Sequence, residues 1–187
     1  MNFLSDLSSR EINLRKEIID AICIGEQHIE YQEKYQSLIE KNVIVVENNY
    51  VTSVYPFSLT PSNKKVQLQR NDIFVYAMCA IDAIGIYYTL DEPITIYSED
   101  ELTKEKIVID VNKHGIFNKS NHDVLVLYKP VCSKESCNKL CCPYIHFFTK
   151  KDHALEYLNS INKTKEEFVF LNLDEAKEIS KDLFKSI

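Results

Sequence analysis

Tryptophan is absent from this chain of 187 residues, and glycine occurs only three times. Gly25, Gly85 and Gly115 lie far apart, which excludes the glycine-rich loop that cradles a phosphate chain. Positive charge is also short. Against 28 Asp and Glu stand 22 Lys and Arg, a net charge of −6, which argues against a protein built to hold nucleic-acid phosphates. No run approaches the length of apolar sequence needed to cross a membrane, and residues 1–10 lack the basic, apolar and small-residue order of a signal peptide. The expectation is a soluble, cytoplasmic protein with no membrane partner. Internal repeats, heptad runs and low-complexity segments are missing too. The 45% of hydrophobic residues is enough for a packed core, so one domain, or a small domain beside a larger one, is expected.

Ser8 and Glu11 have capping-box spacing, and Ile12, Ile18, Ile19 and Ile22 follow at helical intervals, which predicts a helix over 9–23 ended by Gly25. A second helix is predicted over 28–41, with Ile29, Tyr35, Leu38 and Ile39 along one side. Two β-branched runs, 43–46 and 50–55, flank an Asn-rich turn and read as a hairpin. Helices followed by a hairpin suggest a winged-helix-like module over residues 1–58. Its hairpin carries Glu47 and no Lys or Arg, which favours a structural role over DNA binding. Pro56, Pro61, Ser62 and Asn63 mark a boundary. Beyond it, residues 59–187 mix strands and helices without strict alternation. Strands are predicted at 66–69, 94–97, 107–111, 124–128, 144–148 and 168–171, with a helix capped by Thr149 and a last helix capped by Asp174. The expected class is α+β: an N-terminal winged-helix-like helical module, then a mixed or antiparallel sheet core with flanking helices.

Asp82 stands out inside residues 73–90, which are nearly all apolar. A carboxylate taken into such surroundings must be paired, metal-bound or protonated, and desolvation pushes its pKa upward. In a helix, Cys79 and Asp82 would share a face, setting a nucleophilic sulfur beside a proton donor. The same residues also fit a structural reading, with Asp82 bonded to neighbouring backbone and Cys79 a small core residue. Cys132, Cys137, Cys141 and Cys142 put four of the six cysteines within eleven residues, and His146 follows closely. A reducing compartment disfavours a disulfide framework. Soft thiolates select zinc, cuprous copper or heavier thiophilic ions, yet the C-x₂-C spacing of a zinc knuckle is missing. Cys141 and Cys142 border an apolar strand, in which adjacent side chains face opposite ways, so at most one should share a pocket with Cys79. His146 reads as a hydrogen-bonded strand residue, His28, His114, His122 and His153 as solvated, and Cys23 as a buried helix residue.

Taken together, Tyr55-Pro56-Phe57-Ser58, then Tyr76-Ala77-Met78-Cys79-Ala80-Ile81-Asp82-Ala83, then Cys142-Pro143-Tyr144-Ile145-His146-Phe147-Phe148 resemble organomercurial (alkylmercury) lyases in order and spacing. The resemblance covers roughly residues 55–158. It implies protonolysis of a carbon–mercury bond by Cys79, Asp82 and Cys142: thiolates attack mercury, and a carboxylic acid delivers a proton to the departing carbon. A proton relayed from Cys79 to Asp82 would supply both thiolate and acid. The resemblance further implies an organomercurial substrate, no required cofactor, and a mercuric ion held as product on Cys79 and Cys142 until small thiols or a mercuric reductase collect it.

This chain also departs from the family. Cys132 and Cys137 have no counterpart in the family pattern, and a cysteine that members often carry near residues 97–103 is missing. Anchoring on His146-Phe147-Phe148 selects Cys142 as the second thiol, whereas a double-cysteine pattern selects Cys141. The additional thiols Cys132, Cys137 and Cys141 leave open a non-enzymatic alternative of the same fold, one that binds copper, zinc or mercury or responds to them through its N-terminal module. Asp82 favours the enzyme, because a binding protein has no need of a carboxylic acid in an apolar run.

Overall fold

The computed structural model describes residues 4–130 and 137–185. Helix α1 (Ser9–Cys23) begins at the expected capping box: Ser8 Oγ accepts from Glu11 N, and Ser8 N donates to the Glu11 carboxylate at 2.7 Å. The predicted helix over 28–41 is helical only in its second half, as a 3₁₀ turn at Glu33–Tyr35 and the short α2 (Gln36–Glu40). Residues 29–31 instead run extended beside the hairpin. Val51 N donates to Ile29 O and Tyr31 N to Asn49 O, each at 2.8 Å. Backbone groups that a helix would satisfy internally are satisfied by the hairpin's open edge. That hairpin, β1 (Ile44–Glu47) and β2 (Tyr50–Val54), turns through Asn48 and Asn49 at φ 50° and 67°. Both are left-handed, as a two-residue hairpin turn needs and Asn tolerates.

Strands β3 (Phe57–Ser58), β4 (Lys65–Leu68), β5 (Ile73–Ala77), β6 (Ile94–Glu99), β7 (Lys106–Asn112) and β8 (Gly115–Asn118) complete an eight-stranded sheet ordered β1-β2-β3-β5-β4-β6-β7-β8. Through β3, which pairs Phe57 with Ala77, the N-terminal hairpin is continuous with the rest of the sheet. A smaller sheet has β9 (Leu125–Tyr128) between β10 (His146–Phe148) and β11 (Val169–Asn172). Every pairing among the described strands is antiparallel. The α+β class with an antiparallel sheet is the expected one.

The apolar stretch 73–90 divides into β5 and α3 (Ala80–Leu90), a division that continuous hydrophobicity hides because it declares neither period. The strand expected over 144–148 is confined to β10. Ahead of it lie α4 (Cys137–Leu140) and a 3₁₀ turn at Cys142–Tyr144. Pro143 has no N–H for a ladder, and its fixed φ suits the first turn of a helix. Thr149 does not cap α5 (Lys151–Ser160); its N and Oγ1 donate to the Asp100 carboxylate at 2.7 and 3.0 Å. The last helix, α6 (Leu173–Phe184), is capped by Asn172 rather than Asp174, in a capping box with Glu175.

Helices α3 and α6 close over the large sheet. Ser180 Oγ lies 3.0 Å from Ile81 O, and the Phe184 ring occupies the space where a side chain at Gly85 would stand, a built Cβ falling 2.2 Å from Phe184 Cδ2. Gly85→Ala should therefore overpack this contact and lower stability by about 1–3 kcal/mol. Urea unfolding should read this as a lower midpoint with unchanged slope.

Candidate active site

Cys79 is the N-cap of α3, with extended backbone at φ −143° and ψ 176°. Its side chain folds back onto the first turn, where Sγ accepts from Asp82 N at 3.4 Å. Asp82 sits in that first turn, its carboxylate turned toward the 3₁₀ turn at Cys142–Tyr144, and the Cys142 thiol donates to Asp82 Oδ2 at 3.7 Å. The Cys79 and Cys142 sulfurs and an Asp82 oxygen all lie within 4.8 Å of one another, and all three residues are buried. Two further groups face Cys142: the Tyr55 hydroxyl at 3.9 Å and the Cys137 thiol at 3.6 Å. Cys141 is buried but stands outside this group, and Cys132 lies outside the described residues. The backbone at the adjacent cysteines is not a strand: Cys141 precedes a 3₁₀ turn that Cys142 opens.

Burial controls the protonation of the cluster. It pushes the Asp82 carboxyl from its ordinary 3.8 up to about 7, against hydrogen bonds from Cys79 and Cys142 that favour the anion. Burial likewise pushes the Cys79 thiol up to about 11, outweighing the Cys142 thiol and the Asp82 N–H that favour its thiolate. Cys142 is raised well above the usual thiol range by the neighbouring thiols of Cys137 and Cys79 and then by burial, and desolvation raises Tyr55. Both thiols thus retain their protons until a metal takes their place.

His146 fastens the turn that carries Cys142. Its Nε2 lies 2.8 Å from Pro143 O and 3.1 Å from the Tyr157 hydroxyl, while Nδ1 lies 2.8 Å from Lys64 Nζ. Nδ1 is also 3.1 Å from the Glu101 carboxylate, so that nitrogen lies between a group that can only donate and one that can only accept, while Nε2 faces the Pro143 carbonyl. Burial lowers the His146 pKa, consistent with a neutral ring. Lys64, also buried and lowered by burial, is the partner that composition could not reveal, since it follows a polar loop and precedes another lysine. Tyr55 was marked only by its family motif. His153, expected to be solvated, bonds through Nδ1 to Asp100 at 2.9 Å. Asp100, Glu105 and His153 form a second ligand-like group, but the oxygens of Asp100 are engaged by Leu102 N, Thr103 N and Thr149. That group clasps the end of β6 to the β10–α5 connection. A cavity of about 250 Å³ lined by Ile22, His28, Phe74 and Tyr76 contains none of Cys79, Asp82 and Cys142.

An α+β core that buries two thiols against a proton-bearing carboxyl group defines a protein equipped for soft-metal chemistry with proton transfer. The chain belongs to the alkylmercury lyase (MerB) family, whose profile matches residues 57–185. It is thereby a carbon–mercury lyase acting on organomercurials. Among solved structures it is similar to the mercury-bound form of MerB2, with a TM-score of 0.74 and 17% identity over 96% of this chain and 92% of that one, a likeness of fold. No curated protein matches the chain.

The raised Asp82 pKa has a defined effect on stability. Folding favours the protonated carboxyl, so this group's contribution is complete below its unfolded value of 3.8 and is lost as pH rises through about 7. The loss amounts to at most about 4 kcal/mol. Urea midpoints measured across that window should fall for the wild type relative to Asp82→Asn; parallel curves would show that Asp82 titrates normally.

Proposed function

We propose that Cys79, Asp82 and Cys142 carry the carbon–mercury cleavage, and that Cys142, rather than Cys141, is the second thiol. The observation that supports this reading is the convergence of both sulfurs and the carboxyl oxygen within 4.8 Å. The substrate is written R–Hg–X, with X a halide or thiolate. Cys79 replaces X on mercury, and its proton leaves with X. Cys142, whose thiol donates to Asp82 at 3.7 Å, adds to the same mercury and passes its proton to the carboxylate. Asp82 delivers that proton to the carbon. The electron pair of the C–Hg bond becomes the C–H bond, the hydrocarbon departs, and mercury stays on two thiolates beside a carboxylate. This order takes the Asp82 proton from Cys142, the thiol that donates to Oδ2; the sequence suggested Cys79, whose thiol also neighbours the carboxyl while its sulfur accepts from Asp82 N.

The reaction in this form draws on no cofactor, and the bound mercuric ion passes to small thiols or a mercuric reductase in the cytoplasm. Residues 1–58 act as a winged-helix-like module supporting the lyase-like domain over 59–187. The non-enzymatic binding alternative has less support, because both ring nitrogens of His146 are already engaged by Lys64 and Pro143.

Incubation of the full chain with methylmercury chloride and excess glutathione tests the reading by its methane yield. Wild type should release methane. Asp82→Ala should still bind mercury stoichiometrically while methane release falls by about a hundredfold or more. Mercury binding by the wild type without methane would reject the assignment.

A further inference from the structure

The cleavage just described leaves one buried thiol of the cluster unused. Cys137 opens α4, with Sγ 3.6 Å from Cys142 Sγ, so Cys142 has Cys79 on one hand and Cys137 on the other. Cys137 is not part of the mutually close group of Cys79, Asp82 and Cys142. The two outer thiols also differ in setting. Cys79 is held between β5 and the buried first turn of α3, whereas the residues after Cys137 in α4 reach solvent, with Lys139 and Leu140 exposed.

We propose that Cys137 and Cys142 form a second mercury site, which takes the mercuric product from Cys79 and presents it to an external thiol. The proposal rests on the lyase reading of Cys79, Asp82 and Cys142. In the transfer, the Cys137 sulfur forms a bond to mercury, the Cys79 sulfur–mercury bond breaks, and Cys142 remains bound throughout. The proton lost by Cys137 is balanced by one gained at Cys79, with Asp82, a carboxylate after protonolysis, close enough to return it. Nothing is oxidised or reduced.

The spacing suits this exchange. Taking a zinc–thiolate bond as the guide to a soft ion, two thiolates in line with it stand about 4.6 Å apart, and three that share it about 4.0 Å apart. Cys79 and Cys142, within 4.8 Å, accommodate the first arrangement. The shorter Cys137–Cys142 separation of 3.6 Å is nearer the second spacing and puts Cys137 within reach of an ion held by Cys142. The exchange also returns Cys79 to the thiol form while mercury is still on the protein, so the pair that performs cleavage is reset from the inside.

Mercuric chloride serves as the probe, without any need for turnover. After loading at one equivalent and washing with a thiol-free EDTA buffer, Cys79→Ser should retain its ion through Cys137 and Cys142. The Cys79→Ser/Cys137→Ser double variant should lose the ion, and Cys79→Ser/Cys141→Ser should keep it. Retention by the double variant overturns the proposal, as does loss from Cys79→Ser alone. In a kinetic arm, Cys137→Ser should slow mercury transfer to glutathione about tenfold more than it slows first-turnover methane release; equal slowing of both overturns the relay. Cys137→Ala, with a thermal melt for each variant, separates loss of the ligand from the effect of a buried hydroxyl. Absence of methane from the wild type, with the mercury-retention pattern intact, would remove the lyase reading and leave the second site standing.

Discussion

Water excluded from the first turn of α3 makes every charge placed there expensive, and the chemistry of the chain is organised around that cost. A carboxylate and two thiolates within 4.8 Å of one another would repel as well as lose hydration. The site therefore holds protons, with Asp82 displaced to about 7 and Cys79 to about 11. An α-helix N-terminus works in the opposite direction, since its dipole and free N–H groups favour anions by about 0.3–1 kcal/mol at ordinary positions. The Cys79 shift from 9.0 to about 11 corresponds to roughly 3 kcal/mol in favour of the thiol, so desolvation wins over the cap. The helix end orients the sulfur without ionising it.

Orientation comes from elements far apart in sequence. Cys79 is fixed by the passage from β5 into α3, and Ala80 N donates to Ile145 O at 3.1 Å, tying that passage directly to the Cys142 turn. His146 meets Pro143 O on one side and Lys64 and Glu101 on the other. Arg15 reaches from α1 to donate to Tyr55 O at 2.7 Å, so the N-terminal helix braces the residue whose hydroxyl faces Cys142. Packing of Phe184 over Gly85 and the Ser180 contact at Ile81 then press α3 against the sheet. The site is thus seated where the fold is closed from several directions.

Local chemistry was the legible part of this structure. The Ser8–Glu11 box, the Asn48–Asn49 turn and an ionisable Asp82 inside an apolar run each act within a few residues, and sequence spacing carries them. What the spacing missed is non-local. Residues 29–31 have a helix-compatible pattern, yet a hairpin edge some twenty residues later takes their backbone groups. The apolar run after Cys142 reads as a strand from Tyr144, although Pro143 carries the contrary signal and Cys142–Tyr144 forms a 3₁₀ turn. Tyr55 and Lys64 gain their roles only through partners more than eighty residues away, Cys142 and His146, and no pattern along the chain announces such pairings. The excess of thiols was visible at once, but only the fold separates Cys137, in contact with Cys142, from Cys141, which is not part of that cluster.

Low polarity also limits which reaction steps are cheap. A pocket with two thiols and the Asp82 carboxylate carries one negative charge, a state available near neutrality because that carboxyl titrates at about 7. In the cleavage we propose, arrival of R–Hg–X and departure of HX leave the charge unchanged. Moving the Cys142 proton to Asp82 and then to carbon also leaves it unchanged, since mercury neutralises the thiolate as the proton departs. The pocket ends with a neutral dithiolate complex and the same carboxylate. The proposed exchange of Cys79 for Cys137 on mercury would replace one thiol by another and again conserve the charge. Each step therefore avoids the several kcal/mol that separating a new charge in a buried site would add. A lysine in place of Asp82, or a water-filled pocket around it, would forfeit that constancy: the first by reversing the sign of the site, the second by letting the carboxyl ionise at its ordinary value, where its carboxylate is too weak a base to take the Cys142 proton.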